Sequence, residues 1–342
     1  CGRERLVNKY FFSSLTRISD LAEEGFTVAP VDQAEWEMGD YVVGEVVSRP
    51  GALSRVELRS GRMIELVKED LVVGAFGIRG ATLEAVGSWE DVGPDQRFHA
   101  MTSAGLFGRV TSLAPLMPPL LTLDYRGHCL RQGRKLVMND FVRPIPHVWY
   151  DVPTVLIIGT SMSAGKTTAA KRIVRHLKQA GMRVVGCKLT GAGRYRDVLA
   201  MWDAGADAIF DFVDVGLPST LVEPETYRAR LLELLTLVMG AAPDVVVAEA
   251  GASPLEPYNG EIVLEELGEA IRCTVLCASD PYAVAGVIEG FGFEPDVVAG
   301  IATNTTASVS LIKKLTGHRA FSFMAADSSD AAFDVIRKKL GV

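Results

Sequence analysis

Residues 154–179 constrain this chain more than any other stretch. An apolar run, Val155–Ile158, leads into Gly159-Thr-Ser-Met-Ser-Ala-Gly165-Lys166-Thr167-Thr168, and a helical pattern follows from Thr167 to Gln179. A strand that turns through such a loop into a helix N-terminus presents backbone N–H groups and the positive end of the helix dipole to one point. Glycine serves there where the backbone approaches a ligand or takes positive φ. In this pattern Lys166 reaches the β and γ phosphates of a nucleotide and the Thr167 hydroxyl reaches Mg²⁺. The strict pattern has four residues between its glycines. Here position 160 is Thr and the interval from Gly159 to Gly165 is five.

The surrounding chain reads as two parts. From 154 onward, short β-branched runs at Val155–Ile158, Val184–Cys187, Val245–Ala248, Cys273–Cys277 and Val297–Ile301 alternate with helical segments such as Arg228–Met239 and Ser328–Leu340. That alternation predicts an α/β domain with a mostly parallel sheet flanked by helices. Before 148 the runs are shorter and separated by Gly turns, including a hairpin signal at Ser60-Gly61 between Val56–Leu58 and Met63–Val67. Many short strands predict a smaller β-rich, barrel-like domain. Ser13 or Ser14, Leu15, Ile18, Leu21 and Gly25 predict one short helix near the start. Pro144, Pro146 and Pro153 mark a linker, so the expected domains are 1–148, with a substrate or partner role, and 149–342, which binds nucleotide.

Composition narrows the functional classes. The 342 residues are 48% hydrophobic and carry a net charge of −7, with the first part near charge balance. A basic excess suited to nucleic acid is lacking, and no apolar run reaches the ~20 residues of a membrane span. Five scattered cysteines do not make a disulfide framework, so a reducing, cytoplasmic setting is expected. The chain opens on Cys1 rather than Met, compatible with trimming, and shows no signal peptide.

The five-residue loop opening with Gly-Thr resembles that of dethiobiotin synthetases and related P-loop enzymes. Further stretches of residues 154–325 align with that family in order. Val184-Val-Gly-Cys-Lys188 resembles its second strand, which ends in an active-site Lys. Gly193-Arg-Tyr-Arg-Asp197 resembles its segment with a Mg²⁺-binding Asp, and Val245-Val-Val-Ala-Glu249 its strand ending in a second metal carboxylate. Gly300-Ile-Ala-Thr-Asn304 is similar to the strand whose Asn contacts adenine. The resemblance implies ATP and Mg²⁺ as cofactors. Lys166 and Lys188 would be catalytic; Gly159, Thr160, Ser161, Met162, Ser163, Ala164, Gly165, Lys166, Thr167, Thr168 and Asn304 would hold the nucleotide; Thr167, Asp197 and Glu249 would hold the metal.

Lys188-Leu189 stands where the family has Lys-Pro, and Glu249-Ala-Gly-Ala-Ser253 where it has Glu-Gly-Ala-Gly-Gly, which implies a substrate other than the family's diamine. The β-rich part has no counterpart there. Asp211–Thr220 loosely resembles a segment of little-characterised bacterial proteins that also join an unrelated N-terminal domain to a P-loop domain.

Other readings stand beside these. Lys188 also fits a solvated strand end, Asp197 a charged helix among Arg194 and Arg196, and Asn304 a turn residue. Glu249 after four apolar residues is expensive unless paired or metal-bound. Asp203, Asp207, Asp211 and Asp214 read as a solvated helix face. Arg126, Arg131, Arg134 and Lys135 read as a charged hairpin edge, with docking of an anion as the alternative.

The expected function is Mg²⁺-dependent transfer of the γ-phosphoryl group of ATP to a small molecule. The lack of an Asn-Lys-X-Asp guanine signature favours ATP over GTP. A nucleotide switch acting on a protein partner, and a binder of a phosphorylated ligand without hydrolysis, are the rivals. Expected partners are a small-molecule substrate and neither nucleic acid nor membrane. A homodimer is left open by the resemblance, whose members are often dimers.

Overall fold

The computed structural model describes residues 10–47, 55–143, 145–251 and 253–342. The C-terminal part is a six-stranded parallel sheet built by β1 (Thr154–Gly159), β2 (Val184–Thr190), β3 (Ala208–Asp211), β4 (Val245–Ala250), β5 (Ile271–Cys277) and β6 (Val297–Ala299). Their spatial order is β3-β2-β4-β1-β5-β6. Alternate residues of β1 serve opposite faces, as strand geometry requires. Val155 and Ile157 join a core with α1 (Lys166–Gln179) and α7 (Ala326–Leu340), through Ile173, Phe333 and Ile336. Leu156 and Ile158 join the other core with α3 (Pro224–Gly240), through Leu231 and Leu234. With both faces covered, the strands lack polar alternation, which is why they read as apolar runs.

Between these lie α2 (Tyr195–Trp202), α4 (Gly260–Leu267), α5 (Pro281–Phe291) and α6 (Thr306–Thr316). Among the described residues no helix is long and apolar enough to cross a membrane.

The first part contains a closed five-stranded barrel. Tyr41–Val46 pairs with Leu71–Phe76 and with Thr122–Arg131; Arg97–Ala100 pairs with Thr122–Arg131 and Leu106–Leu113. The ring closes where Leu106 and Phe107 run parallel to Ala75 and Phe76. Phe76, Phe98, Phe107 and Leu123 fill its interior, with Trp36 beside them. Closure brings two backbones together at Gly74, where an added Cβ would stand 2.3 Å from the Gly105 carbonyl oxygen. The expected hairpin forms as Arg55–Glu57 against Met63–Glu65.

The expected helix near Ser13 does not form; a single 3-10 turn spans Ser14–Thr16. Its backbone donors are taken by the barrel, Ser13 N by the Val73 carbonyl at 3.0 Å and Leu15 N by the Ala104 carbonyl at 3.1 Å. The aspartates read as a helix face lie instead around β3, a strand the sequence pattern does not reveal. Asp203 ends α2, Asp207 pairs with Lys178, and Asp211 and Asp214 share Arg17 of the N-terminal segment at 2.5 and 2.9 Å. The run to Ile301 stops as a strand at Ala299 and continues as a 3-10 turn, Ile301–Thr303.

One apolar core runs from the barrel side into the sheet, joining Leu15, Tyr41 and Val73 with Leu156, Val185 and Phe212. Polar contacts cross the same boundary. The Glu57 carboxylate is fully buried and accepts from Tyr195 N at 2.8 Å, Arg196 N at 3.0 Å and the Ser14 hydroxyl. Arg194 occupies the N-cap of α2 without capping it, so the barrel hairpin supplies the acceptors that helix lacks. The hairpin turn also lies against α2, because a Cβ at Gly61 would meet Leu199 Cδ1 at 2.1 Å.

Candidate active site

The loop after β1 is shaped for an anion. Gly165 takes φ +101°, and a Cβ at Gly159 would stand 2.7 Å from Lys166 Nζ. Gly300, at φ +88°, approaches so closely that its Cβ would lie 2.3 Å from the Ala164 carbonyl oxygen. Ile301 N donates to that oxygen at 3.3 Å, bracing the loop from behind. Thr160 is tied to β5, its N–H donating to the Cys277 carbonyl at 3.0 Å, and its hydroxyl lies 3.3 Å from that of Ser279. Among the described residues, the N–H groups of Met162, Ser163, Ala164 and Gly165 find no protein acceptor. Orphan donors at a helix N-terminus are what an oxyanion satisfies, by accepting from them.

Lys166 is 3% exposed and donates to the Ser161 carbonyl at 2.7 Å. Burial lowers its pKa below the ordinary lysine value, against the pull of Glu249. No carboxylate lies within ion-pair distance of it among the described residues, so its charge is left for a ligand to balance. The neighbouring strand ends bring the other candidates together. Lys188 on β2 and Glu249 on β4 are register partners. Thr167 Oγ1 donates to Glu249 Oε2 at 3.2 Å, and Lys188 Nζ donates to Asp197 Oδ2 at 2.7 Å and to the Ala192 carbonyl at 3.1 Å. Strand C-termini share one edge in an open α/β sheet, and ligands bind there.

The charges work against one another. Burial raises the pKa of Glu249, and the nearby Asp197 raises it further. Burial also pushes Asp197 upward, but Lys188 and Arg194 outweigh it and hold that carboxyl below the usual value. Lys188 is lowered by burial yet held above its ordinary value by Asp197 and Glu249.

Thr167, Asp197 and Glu249 offer a hydroxyl and two carboxylates, all hard oxygen donors. Among the described residues no group of three His, Cys, Asp or Glu side chains is arranged for a metal. That donor set fits Mg²⁺, which takes one or two protein carboxylates and completes its shell with phosphates and water.

Two pockets flank the loop. The larger, about 350 Å³, has Lys166, Thr167, Lys188 and Glu249 at its base. Barrel residues form its opposite wall, with Met63, Met101, Met117 and Leu120 as the apolar part. Arg79 there donates to the Met101 carbonyl at 2.5 Å, pairs with Glu84 and approaches Met162 Sδ at 3.9 Å. The Ser163 hydroxyl donates to Glu84 at 3.3 Å. The smaller pocket, about 150 Å³, is lined by Gly165, Thr168, Asn304, Phe323 and Met324. Asn304 thus sits on the side of the loop away from Lys188, at the end of the 3-10 turn after β6.

The barrel's contribution could not be read from the sequence. Arg79 and Glu84 line the cleft from a strand and a turn distant in the chain, Glu57 bonds α2 beside it, and no local pattern singles them out. Arg194 and Arg196 had a weak signal, their position beside Asp197.

The strand order, the loop and its following helix define a P-loop NTPase fold, carried here beside a β-barrel. No family model matches the chain, and no curated protein matches it. Solved structures with partial similarity include the signal recognition particle receptor FtsY from Elizabethkingia anophelis, 13% identical over 57% of this chain and 70% of that one, with a TM-score of 0.37. A DUF1611 family protein from Anabaena variabilis is 15% identical over 55% of this chain, TM-score 0.38, and the match spans 58% of that protein's length. The hydrogenase maturation factor HypB from Archaeoglobus fulgidus is 13% identical over 56% of this chain and 91% of its own, TM-score 0.37.

Proposed function

We propose that this protein is a Mg²⁺-dependent enzyme that transfers the γ-phosphoryl group of ATP to an oxygen of a small molecule held between the sheet edge and the barrel. One observation carries the reading. The phosphate loop stands between two pockets, with the smaller beside Thr168 and Asn304 and the larger over Lys166, Thr167 and Lys188. A nucleotide laid across the loop puts its base in the first and its terminal phosphate toward the second. The second then has the volume for an acceptor.

Phosphoryl transfer asks for alignment and charge neutralisation more than for a special nucleophile. Lys166 and the free loop N–H groups stabilise charge on the transferred group. Thr167, Asp197 and Glu249 would hold the metal, which would supply charge neutralisation at the phosphates. Lys188, fixed by Asp197, positions the acceptor.

A switch reading draws on the Ser163–Glu84 contact, through which the barrel touches the loop directly. The two readings separate on what accelerates hydrolysis. ADP formation from Mg·ATP, and GDP from Mg·GTP, is measured with and without a pooled metabolite extract, on the native chain and Lys166→Ala. The expected result is ADP release stimulated by extract and abolished by Lys166→Ala. Nucleotide binding with no diphosphate release under any condition would overturn the transfer reading.

A further inference from the structure

We infer that the larger cleft holds a small molecule bearing an oxyanion group on an apolar stem, and that Arg55, Arg194 and Arg196 are the anion's binding groups. The inference rests on the phosphoryl-transfer reading for the identity of the site and adds the chemical class of the acceptor.

The argument starts from which charges are already balanced. Most basic side chains of the barrel have carboxylate partners, as Arg59 has Glu23, Arg97 has Asp124, Arg109 has Asp95 and Arg126 has Glu45. Inside the cleft, Arg79 has Glu84 and Lys188 has Asp197. Arg55, Arg194 and Arg196 line the same cleft, and none has a carboxylate within 4 Å among the described residues. Against these three and Lys166 stands the single carboxylate of Glu249. The cleft therefore carries an excess of positive charge in a chain whose net charge is −7.

The backbone that carries the three arginines is fixed, while their side chains are exposed. Arg194 and Arg196 flank the N-terminus of α2, which Glu57 fixes through the N–H groups of Tyr195 and Arg196. Arg55 lies two residues from Glu57 on the same hairpin strand. One hairpin thus places the backbone of all three residues, which line a single opening. Arginine forks suit carboxylate and phosphate oxygens, which accept two parallel N–H bonds.

The rest of the lining sets the remainder of the ligand. Met63, Met101, Met117 and Leu120 form an apolar wall, and methionine adapts to irregular shapes. A molecule with a charged end at the arginines and a hydrocarbon portion along the methionines fits both surfaces. Arg55 and Met63 belong to the barrel hairpin, so the barrel selects the acceptor.

The test is isothermal titration of the full chain, free and saturated with Mg·AMP-PNP, with octanoate, octyl phosphate and octanamide as probes. The expected result is one-to-one binding of octanoate or octyl phosphate at least tenfold tighter than octanamide. Whichever anion binds more tightly identifies the oxyanion class. Arg55→Ala and Arg196→Ala should each weaken the anion about tenfold, the gap expected for a charge-assisted pair, with AMP-PNP affinity unchanged. Arg196→Lys should recover part of the loss. Arg55 is exposed and has no ion-pair partner among the described residues, so Arg55→Ala tests the site even where another variant folds poorly. Equal binding of octanamide, anion binding unaffected by Arg55→Ala, or no anion binding to a chain that binds AMP-PNP would each overturn the inference. Failure of AMP-PNP itself to bind would count against the phosphoryl-transfer reading instead, while the anion titration of the free chain would still decide this one.

Discussion

The outer face of the barrel and the C-terminal edge of the sheet use the same charged residue types in opposite ways. On the barrel, Arg97 meets Asp124, Arg126 meets Glu45, Arg131 meets Asp20 and Arg134 meets Asp140, all at the surface. The basic hairpin thereby spends its charge on its own neighbours, as a solvated edge does, rather than facing a ligand. At the sheet edge, Lys166, Lys188 and Glu249 are 3%, 5% and 3% exposed; Lys188 is paired with Asp197, while Lys166 has no carboxylate within ion-pair distance among the described residues. Exposed pairs are worth little to stability and cost little to keep. Buried, unequal charges are costly, and they persist where a ligand completes them.

Breaking one pair from each region measures that contrast. Lys188→Met leaves Asp197 enclosed without its ammonium and should destabilise the chain by about 3–5 kcal/mol. Urea unfolding reads this, and a midpoint equal to the native chain's would mean the pair is solvated after all. Glu57→Ala strips α2 of its acceptors and leaves the Ser14 hydroxyl unpartnered. It should cost about 2 kcal/mol or more. It should also lower turnover by displacing Asp197, so full activity in a destabilised variant would separate the cap from the site.

A smaller effect is expected at His99 in the barrel, whose Nδ1 accepts from Val110 N at 3.2 Å. Burial, with Arg109 nearby, lowers its pKa below the ordinary 6.5. The neutral ring is therefore the form the fold prefers. Its contribution is present above pH 6.5 and is lost as pH falls through the lowered value. His99→Gln should flatten that part of the stability profile between pH 7.5 and 5, and an unchanged slope would exclude His99 as its source. Least of all, Arg126→Ala should shift stability by no more than about 0.5 kcal/mol, and by less still in high salt. A loss above about 1 kcal/mol would break the distinction between the two regions.

The sheet and its loop were legible because their signals are local. A phosphate loop needs its residues consecutive, and a strand covered on both faces writes itself as an apolar run. Lys188 and Glu249 could be named because each sits at a strand end, where topology gathers side chains from distant segments, whereas Asp197, in the first turn of α2, was named only through the family resemblance. Ala208–Asp211 escaped because four residues with aspartates on either side look like any charged stretch. Ser13–Gly25 carried a helix-like stripe, but its backbone donors had better acceptors in the barrel. Glu57 shows the limit most clearly. A glutamate in a hairpin has no local mark that says it will cap a helix 138 residues further on.

That cap has a consequence for the order in which the molecule is made. The hairpin that holds Glu57 leaves the ribosome before α2, so the acceptors stand ready when the helix's unpaired amides arrive. The N-terminal part thus carries the acceptors for a segment of the sheet edge synthesised after it. The arginine-bearing turn is bonded to a carboxylate that precedes it in the chain by 138 residues.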